Sequence, residues 1–460
     1  MRSISTAVAV VAVVAAGGCK TLGSPDLNAV SINDLSANPT AASLGTAVQG
    51  LFRLIRDNFP EIVIGGEIGR EGFDLDPSNA QFQSEIYVTQ DPNLGFNWYY
   101  YRPEVIASVI LNAVGKVPSY KAADVAGVTG FVQTIEALCY LYTIQGLDQS
   151  GAAIQVTLDP TAPPPPIASR AQVYQQITTL LQQAQTNLQA AGATFPFSLI
   201  DGFANFNTPA TFLTFNRAVK ARSDLYQASY GLNGVTFNDV LTDLTGSFLD
   251  TTQPLSMGAY WTYSTNSGDQ PNTLYDPTGR QYFANPILKT DAQLKPDATP
   301  DLRWQTKTAP IDTVTRTAFT VTERFNVYTS PSAPTVAIKN EELILMRSEA
   351  LLKTGNRAGA LADVNLIRTT SGGLAPLAAD PGLGGTQTGD RLIDEILYNR
   401  RYSLLWEGGF RWVDLRRYGL LAQLPKQRPG DITIPYLSLP ADDCAVRSPK
   451  PAGCTVPTPF

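Results

Sequence analysis

The C-terminal stretch Leu392–Gly419 constrains the fold more than any other part of the chain. Its first half has apolar residues at three-to-four-residue spacing, which predicts an amphipathic helix with one buried stripe. Arg400 and Arg401 fall on that stripe, and an unpaired buried charge is costly. We therefore expect acidic partners for these two arginines. The candidates in the sequence are Glu407, Asp414 and Glu349.

The predicted helix ends at Gly408–Gly409, where a glycine can adopt the left-handed cap conformation. A second helical turn is predicted after it, and this turn carries Arg411, Trp412, Asp414, Leu415, Arg416 and Arg417. On chemistry alone, an alternative interpretation is an amphipathic hairpin with a solvated charged rim, because charge runs are usually solvated.

Amphipathic helices recur in pairs through much of the chain, which predicts a mainly α fold. The predicted helices are Leu44–Phe59, Pro103–Val114, Ala126–Leu147, Arg170–Ala191, Pro209–Tyr230, Ala337–Lys353 and Arg357–Thr369. The last two follow each other at once and form a helix–turn–helix of tetratricopeptide length, about 34 residues. We expect a core of about eight such helices, stacked as tetratricopeptide-like pairs.

The helical pattern fades between residues 231 and 336, where turn residues, short β-prone runs and aromatics replace it. A long irregular insertion of this kind is usually functional or disordered, and its aromatic content argues against disorder. Aromatic rings and neighbouring polar groups form the usual walls of a ligand site. The candidate ligand-binding residues are Asn97, Trp98, Tyr260, Trp261, Tyr263, Asn266 and Trp304. The alternative for each aromatic is that it fills the core.

Composition narrows the function classes. The chain has 460 residues and a net charge of −6, so a broad nucleic-acid-binding surface is not expected. It has no histidine, which excludes Ser-His-Asp catalysis, His-ligated zinc and imidazole bases. No phosphate-binding loop is present in the sequence. Asp74, Asp76 and Asn79 have a loose calcium-loop spacing, but Pro77 interrupts it and no bidentate glutamate follows at the right distance, so we interpret them as solvated turn acids and predict no cofactor and no metal.

The N-terminus reads as an export signal. Residues 1–18 carry one arginine and then a short run of alanine and valine, too short to span a bilayer. Ala16-Gly17-Gly18 before Cys19 is similar to a bacterial lipobox, so Cys19 is predicted to be lipidated and residues 19–40 to form a tether. The alternative is plain cleavage beside an ordinary cysteine. In an exported chain, Cys444 and Cys454 are expected to form a disulfide.

Two motifs carry a resemblance to a known family. The C-terminal run is Arg400, Leu404, Glu407, Gly408, Arg411, Trp412, Asp414, Leu415, Arg417 and Gly419. The preceding helix pair supplies Arg347, Glu349, Ala350, Leu352, Gly355, Ala360, Leu361, Asn365 and Arg368. This order resembles the C-terminal signature of SusD/RagB-family nutrient-uptake lipoproteins. The chain departs from it at Asn399 and Ser403, where the family usually has acids, and has one extra residue between Glu407 and Arg411.

The resemblance implies an outer-membrane lipoprotein on the cell surface, held by its lipid anchor alone. It implies capture of oligosaccharides, or of peptides in some members, and delivery to a SusC-like TonB-dependent transporter without chemistry. It also implies one SusD-like domain over residues 41–460. In that domain, residues 41–230 and 337–420 form the helical core, residues 231–336 the ligand-binding insertion and residues 421–460 the disulfide-bearing tail.

Two functions from other classes compete with this one. An exported glycoside hydrolase needs paired carboxylates, and the acid pairs in the sequence are Glu341-Glu342 and Asp442-Asp443. Adjacent helical residues do not face each other, so Glu341 and Glu342 are not expected to flank one bond. A tetratricopeptide scaffold that binds only proteins would leave the aromatic-rich insertion without a role.

Overall fold

The computed structural model describes residues 32–56, 60–75, 89–90, 101–159, 161–316, 318–385 and 387–460. The predicted signal peptide, the lipidation site Cys19, and the candidate ligand residues Asn97 and Trp98 lie outside the described residues. The predicted tether, residues 19–40, is partly described, and its end is helical rather than extended. Ile32–Ala37 is an α-helix, with Leu35 buried against the first helical layer.

Helices build the first half of the described chain. They are α1 (Ile32–Ala37), α2 (Ala41–Ile55), α3 (Gly65–Ile68), α4 (Tyr101–Val114), α5 (Ala122–Leu147), α6 (Arg170–Ala190), α7 (Pro209–Tyr230) and α8 (Phe237–Thr245). From α4 to α8, each helix packs against the next one in sequence, so the chain forms a stack of helical hairpins. The predicted mainly α fold with a tetratricopeptide-like core is confirmed.

The helix boundaries follow from local chemistry. Ser169 caps α6: its hydroxyl accepts from Gln172 N, and its own amide donates to Gln172 Oε1 over 2.9 Å. Helix α7 starts with Pro209, where the missing N–H costs nothing, and ends at Gly231 with φ +65°. These signals explain why the sequence located both helices to within a residue.

Helix α5 is the centre of the larger core. It is long and apolar enough to cross a membrane by length and composition, but 78% of the apolar window is buried inside the fold. Its side chains contact α4 on one side and α6 and α7 on the other. We therefore assign α5 as a core helix that is apolar all round because it is surrounded.

The second half contains helices α9 (Pro286–Asp291), α10 (Leu302–Lys307), α11 (Asn340–Lys353), α12 (Arg357–Thr370), α13 (Arg391–Ser403), α14 (Phe410–Arg417) and α15 (Ala441–Ala445). Helix α11 packs on both α12 and α13, and it also contacts α8. The two helical halves are therefore joined through α11.

Short strands interrupt the helices. They are β1 (Gly72–Asp74), β2 (Ala152–Ala153), β3 (Ile167–Ala168), β4 (Gly258–Trp261), β5 (Tyr282–Ala284), β6 (Thr308–Arg316), β7 (Phe319–Phe325) and β8 (Thr335–Lys339). One antiparallel sheet has the order β1-β5-β7-β6, and the pairs β2-β3 and β4-β8 form two smaller ladders. The helix predicted to begin at Ala337 begins at Asn340 instead, because residues 335–339 pair with β4.

The signature segment forms helices α13 and α14 around a buried ionic cluster. Arg400 Nε donates to Asp414 Oδ2 over 2.7 Å, and Arg417 lies 2.6 Å from Glu349 and 2.7 Å from Asp414. Of the three acids predicted as partners of Arg400 and Arg401, Asp414 pairs with Arg400, Glu349 pairs with Arg417 instead, and Glu407 pairs with lysines elsewhere. Arg401 pairs with Asp291 over 2.8 Å.

Asn399 and Ser403, the two positions where the family usually has acids, both contact the same arginine, Arg303. Arg303 donates to Asn399 Oδ1 over 2.9 Å and to Ser403 Oγ over 3.0 Å, and its charge is balanced by Asp301. The acid that balances this arginine therefore comes from the insertion rather than from the signature helix.

The turn between α13 and α14 corrects one prediction. Helix α13 ends at Ser403, before the glycines, and Gly409 precedes α14 with φ +62°. A Cβ on Gly409 would lie 2.5 Å from the carbonyl oxygen of Glu61, so no larger residue fits there. In the tail, Cys444 and Cys454 are joined by a disulfide.

Candidate ligand-binding cleft

A cleft of about 710 Å³ opens where the insertion meets the second helical half. Its walls are the outer face of the β4-β8 ladder, the loop between β7 and β8, the start of α11 and the end of α12. The hydroxyl-bearing residues that line it are Ser256, Thr329, Ser330, Ser332, Thr370 and Ser371. Hydroxyls, an aromatic face and apolar patches together suit a hydroxyl-rich ligand.

The β4-β8 ladder decides which aromatic residue faces the cleft. Neighbouring side chains of a strand point to opposite faces. Tyr260, opposite Val336, lines the cleft and is half-buried, whereas Trp261, opposite Thr335, points into the core. The Tyr260 hydroxyl donates to the carbonyl oxygen of Ser256, which holds the ring at the cleft wall.

Lys339 is the centre of an ion-pair network at the buried end of the cleft. Its Nζ lies 2.8 Å from Glu407 Oε2 and 3.2 Å from Glu341 Oε2. A third bond of 3.0 Å joins the same Nζ to the carbonyl oxygen of Ser403. A lysine ammonium has three N–H donors, so the protein itself uses all of them.

A second ammonium group approaches the same carboxylate from outside the cleft lining. Lys307 Nζ lies 2.7 Å from Glu407 Oε1 and 2.7 Å from the carbonyl oxygen of Ser403. Glu407 therefore bridges Lys307 and Lys339, and the network of two lysines and two glutamates has no net charge. We call this group (Lys307, Lys339, Glu341 and Glu407) the cleft network.

The cleft network fixes the protonation state of Glu341. Burial opposes ionisation of Glu341, but the ammonium groups of Lys339 and Lys307 outweigh it and lower the pKa of the carboxyl group to about 2. Burial likewise opposes the charge of Lys339, yet Glu407 and Glu341 raise the pKa of its ammonium group. A carboxyl group with so low a pKa cannot donate a proton near neutral pH, so Glu341 cannot act as the general acid of a glycosidase.

The structure also separates the acid pair that the hydrolase interpretation would need. Glu341 belongs to the cleft network, whereas Glu342 accepts from Arg222 over 2.7 and 2.6 Å on the other side of α11. Neighbouring residues on a helix face different directions, as the sequence indicated.

Several predicted ligand residues lie in the core and need correction. Trp261 is 0% exposed, with its ring 5.3 Å from that of Phe203 and 6.2 Å from that of Phe52. Trp304 is 3% exposed and packs in the smaller core beneath α13. Neither ring can contact a ligand in this structure, because other side chains enclose it.

Two further candidates lie outside the cleft. The Tyr263 side chain is buried, and its hydroxyl donates to the carbonyl oxygen of Arg56 over 2.6 Å, so it anchors the insertion to α2. Asn266 is exposed on a turn that Asp269 closes by donating its amide to the Asn266 carbonyl oxygen over 3.0 Å. Of the predicted aromatics that the structure describes, Tyr260 alone lines the cleft.

Sequence reasoning missed Lys339, Glu341 and the hydroxyl residues of the cleft. The predicted helix Ala337–Lys353 includes Lys339, and a helical position does not indicate its ion pairs with Glu341 and Glu407. A signal was present, since Thr335–Lys339 is a β-branched run that ends directly before an acid-rich helix start. Within the described ranges, no group of three or more Cys, Asp or Glu side chains could hold a metal ion.

The sequence matches one family model. Residues 313–443 match the model of the SusD family, and this segment contains both motifs described above together with β8 and α11 to α14. It also supplies three of the four side chains of the cleft network, Lys339, Glu341 and Glu407. No curated protein sequence matches the chain significantly.

Solved structures share the fold over nearly the whole chain. NanU of B. fragilis is 12% identical, with a TM-score of 0.66, over 94% of this chain and 98% of its own. A laminarin-binding SusD-like protein is 17% identical, with a TM-score of 0.61, over 88% of this chain and 97% of its own. A SusD superfamily protein from Bacteroides vulgatus is 14% identical, with a TM-score of 0.61, over 89% and 97%.

The family match and the structural similarity support each other. The matched segment supplies the ionic cluster of α13 and α14, and the similar structures extend the likeness to the N-terminal helical stack. The resemblance to the SusD/RagB family predicted from the two motifs is thereby confirmed: residues 313–443 match the SusD family model, and the chain has the fold of the SusD-like structures.

Proposed function

We propose that this protein captures oligosaccharides at the cell surface and passes them to a SusC-like TonB-dependent transporter in the outer membrane. The observation that carries the proposal is the open cleft of about 710 Å³, which joins an aromatic wall at Tyr260 to a rim of hydroxyls. Sugar rings pack their C–H faces on aromatic rings and satisfy their hydroxyls with polar groups at the edge. The fold shared with a laminarin-binding protein supports a glycan ligand.

The cleft is suited to binding rather than to bond cleavage. Glycoside hydrolysis requires one carboxyl group that is protonated at working pH and a second that is ionised. The low pKa of Glu341 removes one candidate acid, and Glu407 is held by two ammonium groups. We therefore propose that the protein is not an enzyme.

Delivery and location follow from the family and from the N-terminal sequence. The lipobox-like residues before Cys19 support lipidation at that cysteine, and two or more acyl chains would hold the protein firmly to a membrane. The family supports a β-barrel transporter as the partner and the outer membrane as the location. A peptide ligand remains the second candidate, because some members of the family take peptides.

A glycan-binding screen tests the capture role. We expect the mature protein to bind at least one oligosaccharide, and Tyr260→Ala to weaken that binding about five- to thirtyfold, since a stacked ring contributes roughly 1–2 kcal/mol. Asn266→Ala is the matched control, because this exposed residue lies in the insertion but outside the cleft lining. Equal loss in both variants would show that the cleft is not the binding site.

Isolation from native membranes tests the partner. We expect a large β-barrel protein to co-purify with the lipidated chain, and the Cys19→Ala variant to be released from the membrane. Recovery of soluble partners only, together with a negative glycan screen, would favour the tetratricopeptide scaffold.

A further inference from the structure

We infer that the cleft selects uncharged saccharides and rejects acidic ones such as polyuronates. The inference rests on the proposed function, since it names the ligand class of the same cleft. The cleft network carries it, because charged side chains at a binding site usually recruit a ligand of opposite charge, whereas these are committed to one another.

Neither lysine of the cleft network has an ammonium donor left for an anionic ligand. Lys339 uses one N–H on each of Glu407, Glu341 and the Ser403 carbonyl oxygen, at 2.8, 3.2 and 3.0 Å. Lys307 is likewise bonded to Glu407 and to the Ser403 carbonyl oxygen, each over 2.7 Å, and its third contact is with the Leu405 carbonyl oxygen at 3.5 Å. A carboxylate entering the cleft would have to break one of these contacts and leave a buried glutamate without its partner, which is costly.

The carboxylates are equally unavailable to a cationic ligand. Glu407 presents both oxygens to lysines, and Glu341 Oε2 faces Lys339. The other oxygen of Glu341, Oε1, is buried, and the side chains of Ser371 and Ser403 hydrogen-bond to this carboxylate. A ligand ammonium group would therefore compete with Lys339 instead of filling an open acceptor.

The rest of the cleft offers uncharged groups. Among the described lining residues, no arginine is present, and the side chains beyond the network are hydroxyl-bearing, aromatic or apolar. Such a surface can form hydrogen bonds with the hydroxyls of a sugar. It cannot compensate a carboxylate for the loss of its hydration, because removing water from a carboxylate costs far more free energy than removing it from a hydroxyl. The selectivity for uncharged saccharides thus arises because Glu341 and Glu407 already neutralise the two lysines of the cleft network.

A glycan array that contains neutral and acidic polysaccharides tests this selectivity. The full mature protein is applied to the array, and the affinity for each hit is then measured by calorimetry. We expect every hit to be uncharged, and an acidic analogue of the best hit to bind at least about tenfold more weakly. Hits among the polyuronates with affinity equal to that of the neutral hits would overturn the inference and leave the capture role intact. An array without any hit would overturn the capture role itself.

Glu341→Gln sharpens the test, because it keeps the shape and an acceptor oxygen but removes one negative charge. We expect the ratio of the affinity for an oligouronate to the affinity for the neutral hit to rise about tenfold or more, and this gain to fall again with added salt. Asp297→Asn is the matched control: it removes the same charge from an exposed side chain paired with Lys295. An equal gain in both variants would contradict a role for the cleft network, and the wild-type array decides the matter if Glu341→Gln does not fold.

Discussion

Two ionic networks include residues of the signature segment Leu392–Gly419, and they differ in the type of residue that supplies the positive charge. The cluster between α13 and α14 uses Arg400 and Arg417 against Asp414 and Glu349, and it is sealed in the core. The cleft network uses lysines against Glu341 and Glu407, and it borders the cleft. We call the first the sealed cluster.

The difference follows from what each region does. Arginine donates in a planar fork to two carboxylates at once, so it fixes the relative position of helices. Arg417 bonds to both Glu349 and Asp414 and thereby ties α11 to α14. Lysine is a compact charge with three donors, and Lys339 gathers its acceptors at one point of the cleft. The comparison indicates that the sealed cluster holds helices together, whereas the cleft network sets the charge at the wall of the cleft.

The largest expected effect comes from breaking the sealed cluster. Asp414→Ala removes the partner of Arg400 and one partner of Arg417, and it leaves buried positive charge without compensation. We expect a loss of about 3–5 kcal/mol in the free energy of unfolding, measured by chemical denaturation. Asp442→Ala, on the exposed start of α15, is the control and should change little. A loss below about 1 kcal/mol for Asp414→Ala would remove the distinction between the two networks.

Acid titration tests the cleft network next. Because the pKa of Glu341 is lowered to about 2 in the folded state, its stabilising effect is complete above the pKa of an unfolded glutamate. It is lost as the pH falls from about 4.5 towards 2, and it amounts to at most about 3 kcal/mol. We expect the difference in stability between wild type and Glu341→Gln to shrink across this window. A difference that is constant with pH would contradict the ion pair with Lys339.

Exchanging the cation in the sealed cluster gives a smaller effect. Arg417→Lys keeps the charge but cannot reproduce the bonds of Arg417 to Glu349, Asp414 and Ser229. We expect a loss of about 2 kcal/mol in the free energy of unfolding. If lysine proves as stabilising as arginine at this position, geometry is not what distinguishes the sealed cluster.

The smallest expected change in stability is that of Glu407→Gln. The amide oxygen still accepts from one lysine, Lys339 keeps its ion pair with Glu341, and Lys307 is partly exposed to solvent, so we expect a loss of only about 1 kcal/mol. The same variant leaves an unneutralised lysine at the cleft and should gain affinity for an oligouronate, as measured by calorimetry. Destabilisation as large as that of Asp414→Ala would show that both networks serve the fold.

Most of the sealed cluster could be predicted from the sequence, whereas the cleft could not. Arginines on an apolar stripe require acids, so Asp414 and Glu349 could be named in advance. The cleft joins segments far apart in sequence, and short-range patterns do not report such contacts. Grouping Tyr260 with Trp261 and Tyr263 ignored the alternation of β4, which sends Tyr260 to the cleft and Trp261 to the core.

The β4-β8 ladder has a consequence for how the family can diversify. Trp261 and Thr335 are paired, so the chain that leaves β4 returns to the place it left after residues 262–334. A longer or shorter excursion would add only a small closure entropy, since that cost grows slowly with length. Its loops can therefore vary in length, provided that β5 still pairs with β1 and that Arg303 and Lys307 still reach the signature helix. Changes of length would then be confined to the wall of the cleft, while the stacked hairpins stay as they are.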